Sequence, residues 1–173
     1  MRIIDANDLK AEKRLLCFDL DGTLFDLYGK KNWLEMLKAE NPNAFEGEFL
    51  PEIDKDDLYF FMKKLANRNV RFEVVTWLPK FASAEYEKKC AEKKRKWVKK
   101  NLPFIANVSC QSYGTPKQKA IIKKASKMYL IDDSEEVGKM WETKTQRKFV
   151  KVSKDFTVVN ALENILTKLE KEE

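Results

Sequence analysis

The stretch "RLLCFDLDGTLFD", Arg14 to Asp26, decides how this chain is read. Its opening, Arg14–Leu20, is too apolar for a half-exposed strand, which predicts a strand at the centre of a sheet with both faces covered. Two carboxylates, Asp19 and Asp21, stand at the end of that strand, followed at once by Gly22-Thr23. Side chains alternate along an extended chain, so residues 19 and 21 point to one side. Burying one unpaired charge costs several kcal/mol. Burying two needs a compensating cation or a reaction.

Working outward, the chain alternates strands and helices. "VRFEVVTW" (Val70–Trp77), "FIANVSCQ" (Phe104–Gln111), "KMYLIDD" (Lys127–Asp133) and "RKFVKVS" (Arg147–Ser153) read as four further strands. Leu58, Phe61, Met62 and Leu65 follow the spacing of a helix at 56–68 that ends near Asn67–Asn69. Thr115-Pro116 reads as a helix start, Thr at the N-cap and Pro at the first turn, ahead of "KQKAIIKKA". Val158, Leu162, Ile165, Leu166 and Leu169 form the stripe of a last helix. The fold class is therefore α/β, a Rossmann-like parallel sheet with helices on both faces. The 173 residues read as one domain.

Ligands of such sheets bind beyond the carboxyl ends of the strands. There the chain places Asp19 and Asp21 (strand one), Thr76 (strand two), Asp132 and Asp133 (strand four), and Lys117 just after strand three. Each has a structural explanation by itself. Thr76 is a good strand residue, Lys117 is one lysine of many, and Asp133 or Ser134 suits a helix N-cap. Asp21-Gly22 already supplies a turn, which leaves Asp19 without a structural task. Carboxylates, a hydroxyl and an ammonium converging from four strand ends together point to a site.

Composition narrows the chemistry. The chain contains no histidine, which removes His-based triads, His-ligated zinc and His general bases. Cys17, Cys90 and Cys110 are odd in number and widely spaced, as expected of reduced cysteines in the cytoplasm. "MRIIDANDLKAEKRLL" has no apolar core, so no signal peptide is expected, and no apolar run is long enough to span a membrane. The net charge of +6 lies wholly in Lys80–Lys100, with nine Lys/Arg against three Glu. On a helix, Ala82, Tyr86, Cys90 and Trp97 fall close to one face and the lysines largely fill the others. A solvated outer face explains this helix; a weak phosphate-attracting patch is the other reading.

In order, "FDLDGTLFD", "VVTW", "GTPKQKAI" and "YLIDDS" resemble the motifs of the haloacid dehalogenase superfamily, in its phosphatase branch, over about Arg14–Ser153. D-x-D-G-T at the end of an apolar strand is specific; the second motif carries little by itself. The resemblance implies that Asp19 is a nucleophile that accepts the phosphoryl group, and that Asp21 is the general acid and base. It implies phosphate binding by Thr76, with Trp77 beside it, and by Lys117, with Lys119 as the alternative. It also implies a Mg²⁺ site of Asp19, the Asp21 carbonyl, Asp132 and Asp133, with Asp133 aligned on the direct ligand. An all-oxygen ligand set fits that hard cation.

The implied activity is Mg²⁺-dependent phosphomonoester hydrolysis on a small phosphorylated substrate such as a nucleotide. "YLIDDS" and "KRKWVKKNLPF" are similar to the 5′(3′)-deoxyribonucleotidase group. Residues 26–53, "DLYGKKNWLEMLKAENPNAFEGEFLPEI", leave room for only a small cap with a short helix around Lys31–Glu40, less than that group carries. Trp33, Phe45, Phe49 and Trp77 are candidates to border the site, by stacking a base or by packing the loop. The alternatives are a phosphatase of larger substrates (a protein or a nucleic-acid end, the latter less favoured) and a non-catalytic phosphate-binding module. No membrane partner is expected, and monomer and homodimer both stay open.

Overall fold

The computed structural model describes residues 14–122 and 125–172. The stretch read as lacking a signal peptide lies, up to residue 13, outside the described residues, as do positions 123 and 124 of "KQKAIIKKA".

Five parallel strands run β1 (Arg14–Phe18), β2 (Val70–Trp77), β3 (Ile105–Gln111), β4 (Lys127–Asp132) and β5 (Arg147–Lys151). Their order is β3-β2-β1-β4-β5, so β1 is central, with Phe18 paired to Val74 on one side and to Ile131 on the other. Leu15, Leu16, Cys17 and Phe18 are all fully buried, as the uninterrupted apolar run demands.

Alternation divides the core between the faces. Leu16 and Phe18 join Phe72, Val74 and Ile131 in packing with α2 (Lys55–Ala66), α3 (Ala84–Asn101) and α5 (Val158–Glu172). Leu15 and Cys17 join Val75 and Leu130 against Val137 and Trp141 of α4 (Glu135–Trp141). Right-handed crossovers account for the division. The chain moves outward from β1 to β3 with helices on one face, then returns through β4 to β5 with its connections on the other.

Caps define the helix starts. The Asp54 carboxylate accepts from the amides of Asp56 and Asp57, at 2.9 and 3.1 Å, to open α2. Ser83 opens α3 by accepting from the Tyr86 amide, and Ser134, rather than Asp133, opens α4 by accepting from the Val137 amide. The helix predicted after Thr115-Pro116 is absent in the described part. Pro116 itself takes the N-cap position, without a side-chain cap bond, and the chain makes a single 3-10 turn, Lys117–Ala120.

The insertion after β1 is a short cap. It holds a six-residue helix, α1 (Trp33–Lys38), with no buried residue, and a 3-10 turn, Pro42–Phe45. Side chains fasten it to α3. Glu40 accepts from both the amide and the hydroxyl of Ser83 (2.7 Å each), Trp97 Nε1 donates to the Gly47 carbonyl (2.8 Å), and Lys93 pairs with Glu46.

Candidate active site

The central strand delivers Asp19 just past its last paired residue, where its amide still donates to the Ile131 carbonyl (2.9 Å). The chain then turns sharply. The amides of Leu24 and Phe25 both donate to the Leu20 carbonyl, and Gly22 takes φ +77°, in the left-handed region. Glycine is needed here for space as well. A Cβ at position 22 would lie 2.9 Å from Asp133 Oδ2 and 2.5 Å from the Tyr28 ring.

Two lysine-centred clusters result. In the first, Lys117, 3% exposed, donates to Asp19 Oδ1 at 2.5 Å and to Asp132 Oδ2 at 2.6 Å. Asp133 stands beside them, accepting from Thr23 Oγ1 (3.3 Å). One ligand oxygen from each of Asp19, Asp132 and Asp133 lies within 4.8 Å of the others. One ammonium faces three carboxylates, and the electrostatics register the excess. Burial and the Asp19 charge push the Asp132 carboxyl up to about 7, against the pull of Lys117. The same two causes raise Asp133. Burial works against the Lys117 ammonium, but the Asp19 and Asp132 charges outweigh it, and its pKa rises.

The second cluster contains a residue that the sequence reading missed. Lys94 of α3, 1% exposed, donates to Asp21 Oδ2 (2.5 Å), Thr76 Oγ1 (3.0 Å) and the Trp77 carbonyl (2.6 Å). Its ammonium lies 4.7 Å from the centre of the Phe45 ring. Burial raises the Asp21 carboxyl, with the Lys94 charge opposing. Asp21 Oδ1 is buried without a hydrogen-bond partner among the described residues. The lysines of α3 are thus not all on its solvated face. Position 94 follows Cys90 by four and precedes Trp97 by three, which puts it inside the apolar stripe, and that spacing was the available signal.

The structure brings Asp19, Asp21, Trp77, Lys117, Asp132 and Asp133 to one cavity of about 370 Å³; Thr76 does not line it, being fully buried, and is linked to Asp21 through the shared Lys94 ammonium. Lys119 is exposed and does not line the cavity. The Trp77 indole donates to the Thr115 carbonyl (2.7 Å) and its ring packs on Tyr113 at 4.9 Å. Trp33 and Phe45 line the cavity as anticipated; Phe49 does not, and packs instead on Trp97. A larger cavity of about 560 Å³ opens beyond the Gly22 turn and shares Asp133, but Asp19, Asp21 and Lys117 are outside it.

The donor set fits a hard divalent cation. It is all oxygen and carries more negative charge than Lys117 neutralises. Asp19, Asp132 and Asp133 would hold the ion. A parallel α/β sheet with these three aspartates at its carboxyl edge is the arrangement of the general haloacid dehalogenase fold, without distinguishing a subgroup. All three cysteines are free, and no helix among the described residues is long and apolar enough to cross a membrane. The chain matches no protein-family model, and no curated protein sequence matches it.

Proposed function

We propose that this protein is a Mg²⁺-dependent phosphomonoester hydrolase acting through an aspartyl-phosphate on a small substrate of the nucleotide type, in the cytoplasm. The observation that carries the reading is that Asp19 and Asp21, two residues apart, face one cavity with different partners. Asp19 is bound to Lys117, in the carboxylate cluster. Asp21 is bound to Lys94 and keeps one oxygen free.

In this mechanism an oxygen of Asp19 attacks phosphorus while the bond to the leaving oxygen breaks. Asp21 gives its proton to the departing alkoxide. In the second half, Asp21 takes a proton from a water that attacks the phosphorus of the acyl phosphate, which releases inorganic phosphate and restores Asp19. Lys117 and the Thr76 hydroxyl hold phosphoryl oxygens. When bound by Asp19, Asp132 and Asp133, the cation supplies neutralising charge between the anionic nucleophile and the phosphate dianion. Tyr28 set edge-on to Trp33, and Trp77 tilted against Tyr113, line the same cavity and offer ring surfaces to a base.

The test is phosphate release from nucleoside 5′- and 3′-monophosphates, sugar phosphates and p-nitrophenyl phosphate, with Mg²⁺ and with EDTA. Metal-dependent release concentrated on nucleotides is expected. Release from the generic ester alone would move the substrate to something larger, and none at all would leave a phosphate-binding module.

A further inference from the structure

We infer that the phosphate this site removes is the terminal phosphate of a single-stranded nucleic acid, held by a ladder of rings and ammonium groups that runs from the cavity to the surface. The inference rests on the phosphatase reading above and names the substrate class of that same site.

The ladder begins at Lys117, whose ammonium lies 5.5 Å from the centre of the Trp77 ring. Trp77 packs on Tyr113, with ring centres 4.9 Å apart. Beyond Tyr113 comes Lys80, whose ammonium lies 5.5 Å from the Tyr113 ring centre and 4.9 Å from that of Phe81. Lys117, Trp77, Tyr113 and Lys80 all line the cavity of the candidate site, and Phe81 stands outside it, on the far side of Lys80. Cations and planar rings thus follow one another outward, the order that suits the phosphates and bases of a single strand.

The outer members are not accounted for by the fold. Phe81 is 93% exposed, and its backbone takes φ +59°, in the left-handed region that a bulky side chain rarely adopts. A ring this exposed gains nothing from burial to offset such a conformation, and strain of this kind concentrates in segments that bind. Lys80 is exposed and makes no ion pair among the described residues. It also opens the segment Lys80–Lys100, which holds the whole positive excess of the chain, so a polyanion is drawn to this side. A mononucleotide fills only the inner half, its phosphate at Lys117 and its base against Trp77 and Tyr113. A second nucleotide engages the outer half, its linking phosphodiester at Lys80 and its base on Phe81. The bond hydrolysed remains the terminal monoester.

The test compares thymidine 5′-monophosphate with the thymidine dinucleotide bearing a 5′-terminal phosphate, and the corresponding 3′ pair, by phosphate release with Mg²⁺. The quantity read is the ratio of kcat/KM, dinucleotide over mononucleotide. At one end or both, it should be about ten or more, the lower end of what one stacked base contributes, and it should fall as salt rises. Phe81→Ala should bring the ratio close to one by lowering the dinucleotide's value. Phe81→Gly, which suits the left-handed backbone, should do the same. Lys80→Met should lower the ratio and remove its salt dependence.

A ratio near one at both ends in an active enzyme, a ratio that survives both Phe81 variants, or a phosphoserine peptide cleaved in preference to the dinucleotide overturns the proposal and leaves the phosphatase reading in place. A wild-type chain that releases phosphate from no ester, p-nitrophenyl phosphate included, overturns that reading instead. Fluorescence anisotropy of labelled thymidine hexanucleotides phosphorylated at either end then decides for the ladder. Binding weakened about tenfold by Phe81→Ala supports it, and unchanged binding, or none by the wild type, refutes it.

Discussion

The Lys117 ammonium lies 2.5 Å from Asp19 Oδ1, and both residues are buried. The same ammonium holds Asp132, so replacing it strips two buried carboxylates of their cation at once. Lys117→Met should cost about 3–5 kcal/mol in EDTA, the range for breaking a buried pair from one side. Added Mg²⁺ should return part of that loss. Urea unfolding with and without the metal checks both statements, and a variant as stable as wild type in EDTA would contradict them.

The Asp132 carboxyl gives the metal-free protein a pH dependence of known sign. Its pKa in the fold is pushed up to about 7 by burial and the Asp19 charge, above an unfolded value of about 4. The folded state thus binds this proton more tightly. The stability it contributes is full below pH ~4 and is lost as pH rises through about 7. The exposed carboxylates Glu46 and Glu85 are shifted down and run the other way. The comparison is therefore wild type against Asp132→Asn, in EDTA, by urea midpoint. The difference should move against the wild type as pH increases, and Mg²⁺ should flatten it.

In the proposed mechanism Asp19→Asn removes the attacking oxygen, and it removes one of three crowded carboxylates while Lys117 keeps Asp132. Hydrolysis should fall below detection with the unfolding midpoint unchanged or raised. Phosphate release under single-turnover conditions is the measurement, and persistent turnover would exclude the covalent route.

At Gly22, a methyl group meets both a left-handed backbone and the Asp133 carboxylate at 2.9 Å. The backbone alone costs a non-glycine residue roughly 1–2 kcal/mol. Gly22→Ala should lose at least that much stability, and it should bind Mg²⁺ more weakly by calorimetry because Asp133 must shift.

Tyr113 is half exposed and packs on Trp77 at the cavity wall. If that wall stacks a base, Tyr113→Ala should raise KM for a nucleotide about tenfold, the lower end of what one stacked base contributes. Its kcat, and both constants for p-nitrophenyl phosphate, should hardly change. A uniform change on both substrates would assign the ring to packing alone.

Legibility in the sequence followed the physics of each element. β1 could be read because a strand buried on both faces leaves no polar position between Arg14 and Asp19, and β2 runs over the expected residues, Val70–Trp77. Asp132 and Asp133 were placed by the apolar strand ahead of them. Lys94 was hidden by its surroundings. Among nine basic residues in one segment, only helical phase separates the lysine turned inward from those turned out. Thr115-Pro116 misled for a different reason. Cap residues permit a helix without supplying the packed face that sustains one, and after one turn the chain has already delivered Lys117 beneath Asp19 and Asp132.

The fastening of the cap to α3 through Glu40, Gly47 and Lys93 has a kinetic meaning. On the hydrolase reading, a cap tied to the body of the protein at these three points predicts a doorway of constant width, with discrimination among esters left to the shape of its rim and no opening step ahead of product release.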